Sequence, residues 1–123
     1  MRAVAGSVLI VDDDPSVVEA LRQVLPQDVE VASAADAATA TAMLDARSYC
    51  GLVLDLVLET GSGLDVLRHM ELRQMRIPTV VITSKLPSYL REMLHEDQVK
   101  LVFPKPIDPR LLAAIVTGLC GIS

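Results

Sequence analysis

The segment from Cys50 to Leu58, CGLVLDLVL, constrains the fold of this chain more than any other. It is apolar on both sides of a predicted strand, which is typical of a strand buried on both faces of a parallel sheet. Asp55 interrupts the run, and a buried carboxylate is costly unless it lies at a strand end, where water, a metal or a ligand can reach it. The turn Gly61-Ser62-Gly63 follows closely. We therefore place Asp55 at the carboxyl end of the strand, the edge where open α/β sheets bind ligands.

The other apolar runs predict a chain in which strands and helices alternate. Four more strands are predicted at 8–11, 29–33, 79–83 and 101–103, and helices at 15–25, 35–47, 63–70, 87–97 and 109–119. Two of the helices open with Asp-Pro, which supplies an N-cap and a proline at the first helical position. Such alternation with short connections predicts a parallel sheet covered by helices on both faces. We predict one domain at 7–120, with tails at 1–6 and 121–123.

Apolar periodicity assigns an inner face to each of the later helices. In the Ala-rich second helix the predicted inner residues are Ala38, Ala42 and Met43. In the third helix they are Leu64, Leu67 and Met70, with Val66 alongside. The last helix has a stripe of Leu111, Leu112, Ile115, Val116 and Leu119.

Composition excludes several classes of function. Eleven basic and sixteen acidic residues give a net charge of −5, which argues against a nucleic-acid surface. No apolar run approaches the roughly 18 residues that span a bilayer, and no signal peptide is recognisable. Cys50 and Cys120 are too few and too far apart to indicate a disulfide framework or a zinc site, so we expect small buried apolar residues. These features favour a cytoplasmic protein without membrane association.

Polar residues end the apolar runs and would meet at one edge of a parallel sheet. They are Asp12, Asp13, Asp55, Thr83 with Ser84, and Lys105. Clustered carboxylates repel one another, and Mg²⁺, which binds one or two carboxylates and keeps several waters, relieves that repulsion. An ammonium and a hydroxyl suit the oxygens of a transferring phosphoryl group. A carboxylate can itself be the nucleophile and form an acyl phosphate.

At these residues the sequence resembles a response-regulator receiver domain of two-component signalling. The resemblance extends from Val8 to about Leu119 and rests on four motifs in order. They are VLIVDDDPSV at 8–17, LVLDLVLETGSGLDVL at 52–67, VVITS at 80–84 and FPKPID at 103–108. The resemblance implies a doubly wound, flavodoxin-like α/β fold with strand order 2-1-3-4-5 and helices on both faces.

The resemblance also implies a role for each polar residue. Asp55 would be the phospho-acceptor, while Asp12, Asp13, Asp55 and the main-chain carbonyl of Val57 would bind Mg²⁺ or Mn²⁺. Such a domain would catalyse its own phosphorylation and slow dephosphorylation without being a conventional enzyme.

Two further residues would contact the phosphoryl group, namely Thr83 through its hydroxyl and Lys105 through its ammonium. The Lys105-Pro106 peptide bond would be cis. The implied partner is a histidine kinase or phosphotransfer protein, and a homodimer could form through the 85–120 face.

Four departures from the family pattern concern residues around this site. Glu59 stands where proline is common, and Val102 stands where the family often has Tyr or Phe, while its neighbour Phe103 should point to the opposite face. Val57 and Lys85 occupy the two positions that flank the phosphoryl site. The segment 85–99 lacks a common Gly-Ala element.

Simpler interpretations exist for several of these residues. The run Asp12-Asp13-Asp14 could be a solvated turn, and we assign Asp14 to the helix cap alone. Gly61 and Gly63 are expected to need unusual backbone angles. His69 and His95 are expected to be surface or structural residues.

Two other functions compete with the phospho-acceptor switch. A pseudo-receiver would serve only as a dimerisation or docking module. The complete set of acids, hydroxyl and lysine argues against this alternative, while the altered 85–103 face leaves it open. Metal-dependent hydrolysis of phosphate esters would need a general acid beside the nucleophile, where this chain has Val57.

Overall fold

The computed structural model describes residues 6–84 and 99–122, which form five strands and four helices. The strands are β1 (Gly6–Val11), β2 (Val29–Ala34), β3 (Gly51–Asp55), β4 (Thr79–Thr83) and β5 (Val99–Pro104). The helices are α1 (Pro15–Val24), α2 (Ala37–Ala46), α3 (Gly63–Leu72) and α4 (Pro109–Leu119). The predicted helix at 87–97, Lys85 and His95 lie outside the described residues. None of the four described helices is long and apolar enough to cross a membrane.

The five strands form one parallel sheet in the order β2-β1-β3-β4-β5, which confirms the predicted doubly wound topology. The register pairs Val11 with Leu54, and Thr83 with Pro104. Because all strands run in the same direction, their carboxyl ends lie at one edge of the sheet. The polar residues that follow the strands are therefore carried to that edge.

Two aliphatic layers hold the helices against the sheet. Leu9, Leu54 and Val81 face the layer beneath α2 and α3, whereas Ile10 and Val53 face the layer beneath α1 and α4. Each of these side chains is buried, and full burial of one such side chain stabilises the fold by about 1.5–3 kcal/mol. With one Phe and no Trp in the chain, branched aliphatic residues account for most of the core.

The predicted inner face of α2 is wrong for the two alanines, whereas Met43 is half-buried and packs against the core as predicted. Ala38 and Ala42 are exposed, and the buried residues are Ala37, Ala40 and Leu44. Alanines occur all around this helix, so the sequence contains almost no amphipathic signal. Leu44 loses the most apolar surface on burial and therefore determines which face turns inward.

The predicted stripe of α4 is correct except at Leu111. Leu112 and Val116 are buried, while Leu111 is 49% exposed. Successive residues of a helix point about 100° apart, and because Leu112 and Ala113 face inward, Leu111 is turned toward solvent. The inner faces predicted for α3 agree with the structure, with Leu64 half-buried.

The prediction for the two cysteines is also wrong. Cys50 and Cys120 form a disulfide, with their Cα atoms 5.0 Å apart and a sequence separation of 70 residues. Cys50 directly precedes β3, and Cys120 caps α4. The topology brings the end of α4 back to the start of β3, and a long separation in sequence does not exclude such proximity.

Candidate functional site

The aspartates that follow β1 have different local roles. The backbone amide of Asp12 donates to the carbonyl of Ala34 at 3.0 Å, which continues the β1–β2 pairing past the strand end. Oδ1 of Asp12 accepts from the amide of Asp14 at 2.9 Å. Asp14 itself accepts from the amide of Ser16 at 2.9 Å and caps α1, as predicted. Asp12 therefore points back into the edge of the sheet, and Asp14 belongs to the helix.

Asp55 is the last residue of β3, as predicted, and is 4% exposed. The backbone amide of Val57 donates to Oδ1 of Asp55 at 2.9 Å. This bond fixes the carboxylate while its second oxygen, Oδ2, faces the neighbouring strand ends. The side chain of Val57 is 53% exposed. The proposed role of its carbonyl as a metal ligand stays a prediction.

Three carboxylates meet at this edge. One oxygen from each of Asp12, Asp13 and Asp55 lies within 4.8 Å of the others. Asp12 and Asp55 are buried, and Asp13 is half-buried. Oδ2 of Asp13 accepts a 2.8 Å hydrogen bond from the backbone amide of Glu59, so the loop after Asp55 is joined to the acid cluster. The three acids chosen from the sequence are thus brought together.

The ammonium of Lys105 lies between two of these acids. Its Nζ is 2.7 Å from Oδ2 of Asp12 and 2.8 Å from Oδ2 of Asp55. The backbone amide of Lys105 donates to the carbonyl of Thr83 at 2.8 Å, which holds the residue beside the end of β4. The Lys105-Pro106 bond is cis, as the resemblance implied. One cation therefore compensates two buried negative charges.

The electrostatics follow from burial and from this contact. Burial raises the pKa of the Asp12 carboxyl, and the close contact with the Lys105 ammonium and the hydrogen bond from the Asp14 amide offset that only in part. Burial lowers the pKa of the Lys105 ammonium, but its close contacts with the Asp12 and Asp55 carboxylates outweigh burial, so the net pKa lies above its usual value. Lys105 is therefore charged at neutral pH.

The acid cluster fits a hard divalent cation. Although Oδ2 of Asp12 lies close to the Lys105 ammonium, it has no aligned hydrogen bond to any residue in 6–84 or 99–122. A buried carboxylate oxygen without an aligned donor is suited to a metal ligand. Carboxylate oxygens are the ligands that Mg²⁺ and Mn²⁺ prefer. The residues present thus match the predicted metal.

Thr83 is the last residue of β4 and is buried. It lies beside Pro104 in the β4–β5 pairing, so its backbone is next to that of Lys105. This placement agrees with the predicted position at the carboxyl edge. Its contact with a phosphoryl group stays a prediction.

The turn between β3 and α3 depends on two glycines in different ways. Gly61 has a φ of +82°, as expected, and a Cβ there would lie 2.9 Å from the Cβ of Ala37. Gly63 does not have a positive φ, contrary to expectation. A Cβ on Gly63 would instead collide with the carbonyl oxygen of Asp55 and lie 2.8 Å from the Cα of Leu56. Gly63 is thus required for close packing beneath the acceptor rather than for its backbone angles.

An apolar cleft of about 460 Å³ opens beside Lys105. Val17 and Leu21 of α1 line one side, and Pro106 and Ile107 line the other. Sequence reasoning missed this cleft, because its two walls are 85 residues apart in the chain and form a cleft only through tertiary packing. It adjoins the charged edge and could receive an apolar group of a docking partner.

The side chains of Val102 and its neighbour Phe103 lie on the predicted faces of the sheet. Val102 packs with the layer beneath α2 and α3, and Phe103 packs with the layer beneath α1 and α4. The two side chains therefore lie on opposite faces, as successive residues of a strand must.

His69 hydrogen-bonds Asp45 at 2.9 Å between α2 and α3. This agrees with a structural role.

Comparison with known proteins identifies one family for most of the chain. The sequence model of the response regulator receiver domain family matches residues 8–117. Among characterised proteins, the chain is similar to the alginate biosynthesis transcriptional regulatory protein AlgB of Pseudomonas putida and of Pseudomonas aeruginosa, with 28% identity to each. The matches cover 94% and 93% of this chain. The chain spans 29% and 28% of the length of these two relatives.

Solved structures share the fold. A receiver domain protein from Methanospirillum hungatei JF-1 is 24% identical, with a TM-score of 0.79 over 96% of this chain and 94% of that one. The receiver domain of a sensor histidine kinase from Pseudomonas aeruginosa PAO1 is 22% identical, with a TM-score of 0.78 over 94% of this chain and 98% of that one. The second structure contains a magnesium ion coordinated in its active site cleft.

Proposed function

Because this chain belongs to the response regulator receiver domain family, we propose that it is a phospho-acceptor switch in which Asp55 receives a phosphoryl group from a histidine kinase or phosphotransfer protein. One observation supports this more than any other. The Asp55 carboxylate is buried at the carboxyl edge of the sheet, with the Lys105 ammonium 2.8 Å away. Two further acids complete the cluster. A carboxylate held in this way suits nucleophilic attack.

In the proposed reaction, a carboxylate oxygen of Asp55 attacks the phosphorus atom of a phosphohistidine. The P–N bond breaks with its electron pair on the imidazole nitrogen, and an acyl phosphate forms on Asp55. Lys105 neutralises charge on the phosphoryl oxygens, and the Thr83 hydroxyl donates to one of them. Transfer of this kind depends mainly on positioning and charge neutralisation, which these fixed groups provide.

The metal in this proposal is Mg²⁺, with Mn²⁺ as a substitute. Asp12, Asp13 and Asp55 would hold it, together with the carbonyl of Val57. When bound, the ion supplies positive charge to the phosphoryl oxygens as they approach. Asp13 already accepts a hydrogen bond from the Glu59 amide, so the loop that follows Asp55 is attached to one of the proposed metal ligands.

The phosphodonor would dock over the cleft between α1 and the β5–α4 loop. The cleft adjoins Lys105, and its walls are apolar, so a phosphodonor with an apolar side chain near its phosphohistidine would fill it. Ala20 lines the same cleft and is half-buried. Ala20→Glu should slow transfer from a phosphohistidine protein while leaving phosphorylation by acetyl phosphate unchanged. Equal loss with both donors would contradict docking at this cleft.

Measurement of intact mass tests the central proposal. After incubation with acetyl phosphate and Mg²⁺, the protein should gain one phosphoryl group, and chelation of the metal should prevent the gain. Asp55→Ala should gain none, whereas Asp14→Asn, outside the cluster, should behave like the wild type. Incorporation that persists in Asp55→Ala would refute the assignment.

The pseudo-receiver alternative is not supported, because the acids and the lysine are all present and in contact. Dimerisation remains compatible with a phospho-acceptor. Leu101 and Leu111, which are 42% and 49% exposed, lie in the part of the 85–120 face that the structure describes. We propose that this face forms the dimer, and sedimentation of phosphorylated wild type and Leu111→Glu would test it.

A further inference from the structure

The disulfide lies at the edge of the sheet opposite to Asp55. Cys50 directly precedes β3, whose other end carries the acceptor, and Cys120 caps the C-terminal end of α4. The bond therefore joins the start of the central strand to the end of the last helix. It closes a loop that contains Asp55, Thr83 and Lys105.

Two glycines leave room for the sulfur atoms. A Cβ on Gly6 would lie 2.8 Å from Sγ of Cys50, closer than real Cβ contacts allow. A Cβ on Gly51 would lie 3.2 Å from Sγ of Cys120. Neither glycine has a positive φ, so the backbone angles do not require glycine at either position. The space at the starts of β1 and β3 is instead matched to the paired cysteines.

The two cysteines are accessible to an external thiol, and the chain has no third cysteine that could pair with either of them. Both cysteines are half-buried, so an exchanging thiol can approach them. They are the only two cysteines of the chain, and an alternative intramolecular pairing does not exist. In a reducing compartment such as the cytoplasm, disulfides are usually transient or redox-sensing.

We propose that Cys50 and Cys120 form a reversible thiol–disulfide site that fastens the end of α4 to the sheet. The oxidant is a small disulfide of the glutathione class. One cysteine thiolate attacks it and releases one thiol, and the second cysteine thiolate then displaces the other thiol from the mixed disulfide. Two protein thiols and one small disulfide thus become one protein disulfide and two small thiols, and a dithiol reverses the exchange.

The redox state changes how firmly α4 is held. Leu112 and Val116 anchor the body of the helix in both states, but Leu119 at its end and Ile122 just beyond it are only half-buried. The disulfide ties that end of the helix to β3. It also constrains the unfolded chain across a 70-residue separation, which stabilises the folded state most for long loops. Oxidation should raise the melting temperature by about 10 °C.

Thiol counting and thermal melting test the proposal on the full chain. After treatment with oxidised glutathione, denatured protein should bind no maleimide, and after treatment with dithiothreitol it should bind two. The oxidised form should melt about 10 °C above the reduced form. In Cys50→Ser/Cys120→Ser, the melting temperature should not depend on the redox treatment. Because the site at Asp55 lies at the other edge, both forms should accept a phosphoryl group from acetyl phosphate.

Gly6→Ala provides a second, independent test. Its methyl group should hinder the sulfur atoms and lower the oxidised fraction at a fixed glutathione ratio, whereas Gly118→Ala, with open space around it, should not. Maleimide labelling of both cysteines after oxidation, stable glutathione adducts, a disulfide-linked dimer, or equal melting temperatures of the two forms would each overturn the proposal. Loss of phosphorylation in both redox forms would count against the proposed function alone.

Discussion

The ammonium of Lys105 lies 2.8 Å from Oδ2 of Asp55, although 50 residues of chain separate them. The contact joins the end of β5 to the end of β3, two strands that are not neighbours in the sheet. Since the same ammonium contacts Asp12, removing it would leave two buried carboxylates without a paired cation among residues 6–84 and 99–122.

Lys105→Met should therefore lower the free energy of unfolding by about 3 kcal/mol at pH 7, because an uncompensated buried charge is costly. Urea unfolding measures the loss. The double variant Lys105→Met/Asp55→Asn should lose less than the sum of the single changes, since the second change removes one unpaired acid. A Lys105→Met variant as stable as the wild type would show that the contact does not stabilise the fold.

The same contact predicts a pH dependence. The pKa of Lys105 is raised above its usual 10.5, so its contribution to stability is fully present below pH 10.5 and is lost as the pH rises through the folded-state pKa. Lys105→Met should lack this alkaline loss. Urea unfolding of both proteins between pH 8 and about 11.5 checks the prediction. A parallel decline in both would assign the loss to other groups.

Mg²⁺ should raise the melting temperature of the wild type, because an ion that binds only the folded state stabilises it by mass action. At 100 times its dissociation constant, this amounts to about 2.7 kcal/mol. Asp13→Ala should show no magnesium-dependent shift, whereas Asp14→Asn should shift like the wild type, since Asp14 caps α1 outside the cluster. A full shift in Asp13→Ala would exclude this acid as a ligand.

Gly63→Ala should destabilise the domain by several kcal/mol and impair phosphorylation, because the new methyl group meets the backbone of Asp55 and Leu56. Backbone at the end of a central strand cannot easily move aside. Gly118→Ala is the matched control, since it lies in α4 with open space around it and should be neutral or stabilising by about 0.5–1 kcal/mol. Thermal melting of both variants distinguishes crowding from helix propensity.

The phosphoryl group on Asp55 should be long-lived. Hydrolysis needs a water held in line with the phosphorus, and the exposed Val57 side chain at the rim cannot orient one. Val57→Asn should speed phosphate loss at fixed Mg²⁺. Val57→Thr is the control, because it keeps the shape of the valine side chain and its hydroxyl extends less far than the amide of asparagine. Lys85, the second flanking position, lies outside the described residues, and Lys85→Glu should also speed hydrolysis. Unchanged rates in Val57→Asn and Lys85→Glu would mean that these positions do not set the lifetime.

Switching should not depend on a rotating aromatic side chain next to β5. Val102 is short and β-branched, and it packs into the layer beneath α2 and α3. We expect phosphorylation to change amide exchange at Thr83 and in the segment 85–97. Changes confined to β5 and α4 would contradict this route.

The sheet and most of the site could be predicted because their signals are local. Asp55 and Thr83 each end an apolar run, and a parallel sheet brings such ends together whatever the loops do. Lys105 was identified in the same way, but its simultaneous contact with two acids depends on side-chain packing that no sequence pattern encodes.

The predictions for α2 and for the two cysteines were wrong because these features depend on tertiary packing and not on local sequence. The rotation of α2 was missed because alanines on every side leave the choice to Leu44. The pairing of Cys50 with Cys120 was missed because it depends on where α4 ends relative to β3, a tertiary relationship across the whole domain.

Strand β3 separates the two proposed sites, Asp55 and the Cys50–Cys120 pair, by a fixed distance. Five strand residues span about 17 Å. A phosphoryl group on Asp55 would therefore make no contact with the cysteines at the other end of the strand. The domain could thus record two inputs at once, one at each end of a single strand, without either input masking the other.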